Sequence, residues 1–260
     1  MTEAHAIQTE FVGVAFDQLD EAAAVDVCMR LAGGSRFAYV ATPNVDHIVR
    51  LHASMPPDSI ELWRAYTGAA LRLCDSRILQ LLARWSQVDL TVVPGSDLTA
   101  GLLRDPRLAG MRVALIGADT EAHGWLARTR PDATFVQNIP PMGVATNLAA
   151  QDAIVEFVER ANADVVLFAL GAPHSELLCQ RIADLGAVHG VGLCIGASIE
   201  FLSGAKRRAP MWIRRLRLEW AFRLASEPRR LWRRYLIEGP RIFAIWRAWK
   251  RQRRTYTNLH

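Results

Sequence analysis

Residues 163–173 read Ala163-Asp164-Val165-Val166-Leu167-Phe168-Ala169-Leu170-Gly171-Ala172-Pro173, an apolar run that ends in a glycine turn. Short apolar runs bounded by turn residues are typical of buried strands. The segment that follows, from Ser175, has the pattern of an amphipathic helix. The stretch therefore predicts a strand, a turn and a crossover helix.

The same unit recurs along the first 204 residues. Further strand-like runs occupy residues 11–16, 37–41, 70–74, 90–93, 112–116, 134–137 and 192–195. Amphipathic segments separate them, and crossover helices are predicted from Glu121, Thr146 and Ser175. Strands that alternate with helices form mostly parallel sheets with helices on both faces. The sequence thus predicts an α/β core of Rossmann type over residues 1–204.

Polar and glycine-rich turns follow the predicted strands, where sheets of this kind bind their ligands. These turns are Thr42-Pro43-Asn44, Asp75-Ser76, Gly95-Ser96-Asp97, Gly117-Ala118-Asp119, Gly171-Ala172-Pro173-His174 and Gly196-Ala197-Ser198. None has a dinucleotide-binding or P-loop pattern, which argues against a dehydrogenase or a P-loop ATPase. Such glycine turns can present backbone amides to a diphosphate, although a glycine after a buried strand is more often structural.

Asp75 ends an apolar run and is a candidate general base. A carboxylate at this edge of the sheet is partly desolvated, which raises its pKa and suits proton abstraction. The alternative is that Asp75 caps the following helix. His174 is equally open, as a ligand contact at a helix start or as a solvated side chain.

The charge of the chain is segregated. Residues 205–260 carry 17 Lys and Arg against three acidic side chains, whereas residues 1–204 carry 14 basic and 23 acidic ones. Five of the eight tryptophans also lie in the basic segment, at positions 212, 220, 232, 246 and 249. Arg and Trp together suit phosphate binding and the headgroup layer of a membrane. With prolines at 210, 228 and 240, we expect three short helices in a membrane-docking appendage.

Other features of the composition limit the class of protein. The chain has no run of 18 apolar residues and a polar N-terminal segment, so we expect neither a spanning helix nor a secretory signal, and a cytoplasmic location. The cysteines are far apart, without CxxC or His spacing, which favours buried free thiols over a zinc site or disulfides. They are Cys28, Cys74, Cys179 and Cys194.

These segments, in this order, resemble the WecG/TagA/CpsF family of bacterial glycosyltransferases (glycosyltransferase family 26) from about Phe11 to Tyr235. The resemblance rests on the turns at Thr42, Asp75 and Gly95, on residues 163–173 and on residues 196–204. The most specific part lies in residues 208–212, 218–224 and 227–235, where Arg, Trp and Pro recur in a fixed order.

The resemblance implies an inverting, metal-independent transferase that uses no cofactor. It would move a sugar from a UDP-sugar to a polyprenyl-diphosphate-linked sugar. The UDP-sugar would be UDP-N-acetylmannosamine or another UDP-hexose. The pathway would be cell-surface polysaccharide synthesis, such as exopolysaccharide. The enzyme would be peripherally associated with the anionic inner (plasma) membrane.

The resemblance also assigns roles to residues. Asp75 corresponds to the family's proposed base, and Thr42 and Asn44 to residues that line its site. The remaining substrate-binding candidates are Gly95, Asp97, Gly171, Pro173, His174, Glu176, Gly196, Glu200, Arg223, Arg230, Arg233 and Arg234. The chain departs from the family at Ser76, at His174-Ser175 and at Glu200, so the donor sugar stays open.

Alternative functions remain at this stage. An inactive family member could bind the lipid-linked sugar without transfer. A nucleic-acid-binding protein would fit the basic, aromatic segment, but it would leave the turns of the acidic core without a role. The Trp residues at 212, 220 and 232 fit core contacts as well as membrane contacts. A homo-oligomer is also left open.

Overall fold

A computed structural model describes residues 7–53, 55, 58–206, 210, 213 and 219–257, without the side chains of residues 219, 230 and 254–257. The strands are β1 Gln8–Phe11, β2 Val14–Asp17, β3 Ala38–Ala41, β4 Leu71–Arg72, β5 Arg112–Gly117, β6 Thr134–Asn138, β7 Val165–Ala169 and β8 Val191–Cys194. Six of them form one sheet in the order β4-β3-β8-β7-β5-β6, and every pairing within it is parallel. The predicted parallel sheet is confirmed.

The helices alternate with these strands. In the first 204 residues they are α1 Glu21–Ala32, α2 Val45–Ala53, α3 Asp58–Thr67, α4 Arg77–Arg84, α5 Gly95–Arg104, α6 Thr120–Thr129, α7 Leu148–Ala161, α8 His174–Leu185 and α9 Ser198–Leu202. In the basic segment they are α10 Glu219–Ser226, α11 Pro228–Trp232, a π-helical turn over Arg233–Glu238, and α12 Arg241–Thr257.

Helices cover both faces of the sheet, as the continuous apolar runs predict. Along β7, Val166 and Phe168 belong to one hydrophobic cluster, whereas Val165 and Leu167 belong to the other. Because successive side chains of a strand point to opposite faces, a strand buried on both sides must be apolar at every position. The apolar run that predicted the fold is the consequence of this double burial.

Local capping fixes where several helices begin. The carboxylates of Asp20 and Asp119 accept hydrogen bonds from backbone N–H groups in the first turns of α1 and α6, and the Asn147 amide oxygen does the same for α7. A short polar side chain at this position satisfies a backbone donor that has no partner inside the helix.

Residues 11–16 do not form the single strand that the sequence predicts. They belong to an antiparallel hairpin of β1 and β2, with Phe11 paired with Val14. The chain reverses at Val12 and Gly13, whose φ angles are 49° and 85°. This left-handed backbone is favourable for glycine and produces a tight two-residue turn.

Two further strand predictions differ from the structure. Of residues 70–74, only Leu71 and Arg72 join the sheet, as its edge strand β4. Residues 90–93 contribute an isolated bridge between Val92 and Cys74 instead of a strand. Both segments lie at the edge of the sheet and join it through backbone hydrogen bonds, among them those from the Leu73 N–H to the Ala41 carbonyl and from the Val93 N–H to the Cys74 carbonyl, both at 3.0 Å.

The basic segment packs against the core through α12. Ile242 and Trp249 are buried in the same hydrophobic cluster as Phe11. The Trp249 ring meets Phe11 edge-on with ring centroids 5.0 Å apart, and its indole N–H donates to the Glu10 carboxylate at 2.9 Å. The indole N–H of Trp246 donates to the Ser86 hydroxyl at 2.7 Å. At 17 residues, α12 is not the short helix that the sequence predicts.

The other tryptophans of this segment differ in their surroundings. Trp220 is half-buried, with its ring 6.3 Å from that of Tyr235. Trp232 is 45% exposed. Trp212 and most of residues 207–218, which carry part of the family resemblance, lie outside the described residues. Docking of this segment on a membrane therefore stays a prediction.

Candidate active site

A cavity of about 1340 Å³ opens at the carboxyl ends of β3, β4, β7 and β8. The turns after these strands supply one wall, and α4 and the basic segment supply the others. Nine of the candidate residues line this cavity. They are Thr42, Asn44, Asp75, Gly171, Glu176, Gly196, Glu200, Arg223 and Arg234.

The other candidates are not among the lining residues. Gly95 is buried beside the cavity, where a Cβ atom would lie 3.0 Å from the Thr42 hydroxyl, so its role in the fold is close packing of α5 on β3. Asp97 and His174 lie in the first turns of α5 and α8, and Pro173 caps the latter. Arg233 is exposed to solvent. The side chain of Arg230 lies outside the described residues.

Asp75 lies in the turn between β4 and α4. Its backbone N–H donates to the Pro43 carbonyl at 3.0 Å, which ties this turn to the one after β3. The cap of α4 is Ser76, whose hydroxyl accepts from the Leu79 N–H at 3.2 Å. The alternative interpretation of Asp75 as the helix cap is therefore wrong, and its half-buried carboxylate faces the cavity.

The turn after β3 organises the start of α2. The Asn44 side-chain oxygen accepts from the Asp46 N–H at 3.0 Å, and the Asn44 N–H donates to Nδ1 of His47 at 3.1 Å. The Thr42 hydroxyl donates to the Cys194 carbonyl at 3.5 Å, at the end of β8. These contacts fix the loops of two neighbouring strands relative to each other.

Asp46 was not among the residues predicted to line the site, and its buried carboxylate joins the core to the basic segment. Its Oδ2 accepts from Nε of Arg50 at 3.0 Å and lies 3.4 Å from a terminal nitrogen of Arg234. All three residues line the cavity. Asp46 and Arg50 follow the Thr42 turn and are four residues apart, which is the spacing of a helical ion pair. This spacing is the sequence signal that could have identified the cluster.

Arg234 also has an unsatisfied donor. Its Nε is buried and has no hydrogen-bond partner among the described residues. Buried polar groups in folded proteins are nearly always paired, so this one points to a group absent from the structure. Because a guanidinium binds phosphate oxygens through a fork of N–H groups, Arg234 is suited to hold a diphosphate here.

Two more cations border the cavity. The guanidinium of Arg223 lies over the Phe201 ring, 4.7 Å from its centroid. The ammonium of Lys206 lies 2.5 Å from Oε2 of Glu200. The cavity thus holds basic groups from α10, the π-helical turn and the segment after α9 together with the carboxylate of Asp75.

The side chains of His47 and Glu176, which are buried in the cavity wall, have shifted pKa values. Burial lowers the pKa of His47 to about 4, so its ring is neutral near pH 7. Burial raises the pKa of Glu176 to about 7, against the opposing effects of its own backbone N–H and of the Tyr66 hydroxyl. Burial disfavours the charged form in both cases, which raises the pKa of an acid and lowers the pKa of a base.

One side of the cavity is apolar. It is formed by side chains of α4 and of the junction between the π-helical turn and α12. These residues are Ile78, Leu81, Leu82, Trp85, Leu236, Ile242 and Phe243. The cavity therefore has a polar floor at the strand ends and an apolar wall that reaches the surface, where Trp85, Leu236 and Phe243 are exposed.

Neither a metal cluster nor a spanning helix is found in the part of the chain that the structure describes. No group of three or more His, Cys, Asp or Glu side chains has the arrangement of a metal site there. No helix among the same residues combines the length and apolar character needed to cross a bilayer. The four cysteines are buried and free, as predicted, with the Cys179 and Cys194 sulfurs 3.7 Å apart.

Comparison with known proteins agrees with the resemblance seen in the sequence. The N-acetylglucosaminyldiphosphoundecaprenol N-acetyl-beta-D-mannosaminyltransferase of Bacillus subtilis (strain 168) is 40% identical over 83 residues, 32% of this chain and 32% of that protein. The chain thus matches about a third of the length of this curated relative. A sequence model of the glycosyl transferase WecG/TagA/CpsF family matches residues 9–257, and the chain belongs to that family.

Proposed function

We propose that this protein is an inverting glycosyltransferase that moves a sugar from a UDP-sugar to a polyprenyl-diphosphate-linked sugar. The product would serve cell-surface polysaccharide synthesis. Family membership and the B. subtilis relative support the reaction class, and that relative's name makes UDP-N-acetylmannosamine the first donor to try. The observation that carries the proposal is one cavity that faces a carboxylate, Asp75, with the guanidinium groups of Arg223 and Arg234.

The reaction needs a base and an anion-stabilising group. Asp75 takes the proton of the acceptor hydroxyl while that oxygen attacks the anomeric carbon of the donor sugar. The bond between that carbon and the diphosphate breaks on the opposite face, and UDP leaves with the electron pair. Arginine side chains stabilise the charge that develops on the leaving diphosphate.

The cavity is suited to a base and anion-stabilising groups that act on different parts of the donor. Asp75 belongs to the turn after β4, whereas Arg223 and Arg234 come from the basic segment that closes over the strand ends. The unpaired Nε of Arg234 supports a phosphate-binding role for this side. A UDP-sugar between the two groups would have its anomeric carbon near the carboxylate and its diphosphate near the guanidinium groups.

Replacement of Asp75 by Asn tests this proposal. We expect turnover, measured as UDP release with a UDP-sugar and a synthetic polyprenyl-diphosphate sugar, to fall about 10²–10⁴-fold because the base is lost. UDP binding, measured by calorimetry, should change little. Asp89→Asn, an exposed carboxylate outside the cavity, is the matched control. Full turnover in Asp75→Asn, or no turnover by the unmodified protein with any UDP-sugar, would refute the proposed mechanism.

We further propose that the same segment holds the enzyme against the cytoplasmic face of the inner membrane. Its exposed apolar side chains form what we call the apolar ridge, Trp232, Leu236, Ile237 and Phe243. Exposed arginines flank the ridge at positions 229, 233 and 241. Apolar side chains beside basic ones suit the boundary between acyl chains and anionic headgroups, where each Arg contributes about 1 kcal/mol at low salt.

The double variant Trp232→Ala/Ile237→Asp tests the membrane proposal without touching the cavity, since neither residue lines it. Binding to vesicles that contain anionic phospholipid, measured by co-sedimentation, should fall at least about tenfold because an apolar anchor is replaced by a charge. Leu185→Asp, at an exposed leucine of α8, controls for loss of apolar surface elsewhere. Equal vesicle binding by both variants would contradict the assignment of the ridge.

A further inference from the structure

Glu176 is a buried carboxyl group whose second oxygen is left unsatisfied. It lies in the first turn of α8, is 2% exposed, and lines the cavity. Its Oε2 has no hydrogen-bond partner among the described residues. A buried carboxyl oxygen without a partner loses its hydration without compensation, so a fold that retains one points to a ligand that supplies the missing contact.

The groups around Glu176 define what that ligand must provide. The Tyr66 hydroxyl of α3 and the backbone N–H of Glu176 itself already donate to the carboxyl. The other titratable groups that face it are Cys179 of α8 and Cys194 of β8. Burial raises the pKa of Tyr66 and of both thiols, so all three are neutral near pH 7. The carboxyl therefore lacks a cationic partner in this cluster and is completed by one more neutral donor.

We propose that Oε2 of Glu176 accepts a hydrogen bond from a hydroxyl or acetamido N–H of a substrate sugar. The inference rests on the proposed function, because it takes the ligand to be a sugar substrate. Glu176 then acts as a specificity-determining residue, distinct from the base Asp75.

The charge of Glu176 indicates that its partner is a sugar and not the diphosphate. A phosphate oxygen carries negative charge and offers no donor, so it is repelled by a carboxylate, whereas a sugar hydroxyl supplies a neutral donor. Arg223 and Arg234 are the residues of the cavity to which we assign the diphosphate. Glu176 therefore marks the part of the cavity that receives a sugar ring.

We expect sugar binding to release a proton from Glu176, because burial raises the pKa of this carboxyl. Its pKa is about 7, so roughly half of the carboxyls are protonated at pH 7, and a donor that stabilises the ionised form releases up to about 0.5 proton per bound ligand. His47, whose ring centroid is 6.0 Å from that of Tyr66, stays neutral at this pH because its pKa is about 4. The release at neutral pH is thus assigned to Glu176.

Calorimetry at pH 7 in two buffers of different ionisation enthalpy measures this proton. Three titrants are each added to the 260-residue protein: UDP, UDP-N-acetylmannosamine, and a water-soluble short-chain prenyl-diphosphate N-acetylglucosamine. UDP lacks a sugar beyond its ribose, so any proton that it releases comes from its own terminal phosphate and should be the same in Glu176→Gln. Release with the UDP-sugar assigns the contact to the donor sugar, and release with the prenyl compound alone assigns it to the acceptor sugar.

Two variants separate this proposal from a merely structural role. Glu176→Gln keeps the shape of the side chain but cannot titrate, so the sugar ligand should bind, several-fold more weakly, with no buffer-dependent heat. Glu156→Gln, at an exposed glutamate of α7, should keep both affinity and proton release. A sugar ligand that binds without proton release in the unmodified protein, or with equal release in Glu176→Gln, overturns the inference. No binding of any of the three titrants would instead overturn the proposed function on which it rests.

Discussion

Truncation of Trp249 to Ala should destabilise the whole protein, although the residue lies in the basic segment. The side chain is buried in the main hydrophobic cluster and packs edge-on against Phe11. An aromatic side chain buries about 150–250 Å², which at about 25 cal/mol per Å² corresponds to about 4–6 kcal/mol, and measured Trp-to-Ala losses are about 3–5 kcal/mol. We expect the free energy of unfolding to fall by about 3–5 kcal/mol.

Two further variants divide this loss into parts. Trp249→Phe keeps an aromatic ring but removes the hydrogen bond to Glu10, and should cost about 0.5–1.5 kcal/mol plus a packing loss. Trp232→Ala removes a tryptophan that is 45% exposed, and should cost less than about 1 kcal/mol.

Urea titrations followed by far-ultraviolet circular dichroism measure these differences. The order of stability should be Trp232→Ala, then Trp249→Phe, then Trp249→Ala as the least stable. If Trp249→Ala were as stable as Trp232→Ala, the contact between α12 and the hairpin would contribute nothing to folding. The basic segment would then be a separate unit, and the reasoning from burial would be refuted.

Three other substitutions and one control have defined outcomes, each measured by urea titration. Asp46→Asn leaves its two arginine partners without a carboxylate and should cost about 1–3 kcal/mol, whereas Asp26→Asn, which breaks exposed ion pairs, should cost much less. Ser76→Ala removes the cap of α4 and should cost about 1 kcal/mol. Glu176 holds a proton in the folded protein between pH 4.5 and 7 that the unfolded chain loses, so its contribution to stability is present below pH 4.5 and is lost as pH rises through 7. Glu176→Gln should therefore gain stability relative to the unmodified protein, by up to about 3 kcal/mol from pH 4.5 to pH 8, and a constant difference across this range would contradict the assigned pKa.

The parallel sheet was predictable because burial on both faces leaves a direct trace in the sequence. The run from Val165 to Leu170 has no polar interruption, and a strand so placed tolerates none. The hairpin at residues 8–17 was not predicted as a hairpin, because its turn consists of Val12 and Gly13, and a valine gives no turn signal. Residues 90–93 are apolar because they pack in the core, and they join the sheet by an isolated bridge, so composition does not tell them from a strand.

The candidate site was predictable where residues follow strands and unpredictable where distant segments meet. Thr42, Asn44 and Asp75 line the cavity as turn positions should. The contact of Arg234 with Asp46 joins residues far apart in the chain, and it depends on the π-helical turn that sets the direction of the arginine. The local sequence does not predict this π-helical turn. Asp46 and Arg50 were missed because an acidic and a basic residue four apart are usual on solvated helices.

The contact between Trp249 and the hairpin also bears on the order of events during synthesis. Glu10 and Trp249 are separated by 239 positions, so the ribosome makes the hairpin long before its partner helix. Contacts of such large sequence separation close late, since they require the intervening chain to be in place. The nascent protein therefore carries an uncovered Phe11 until α12 arrives. The segment that we propose to bind the membrane is therefore the last to join the core, and a chain released early would be left with an incomplete core and open to proteolysis.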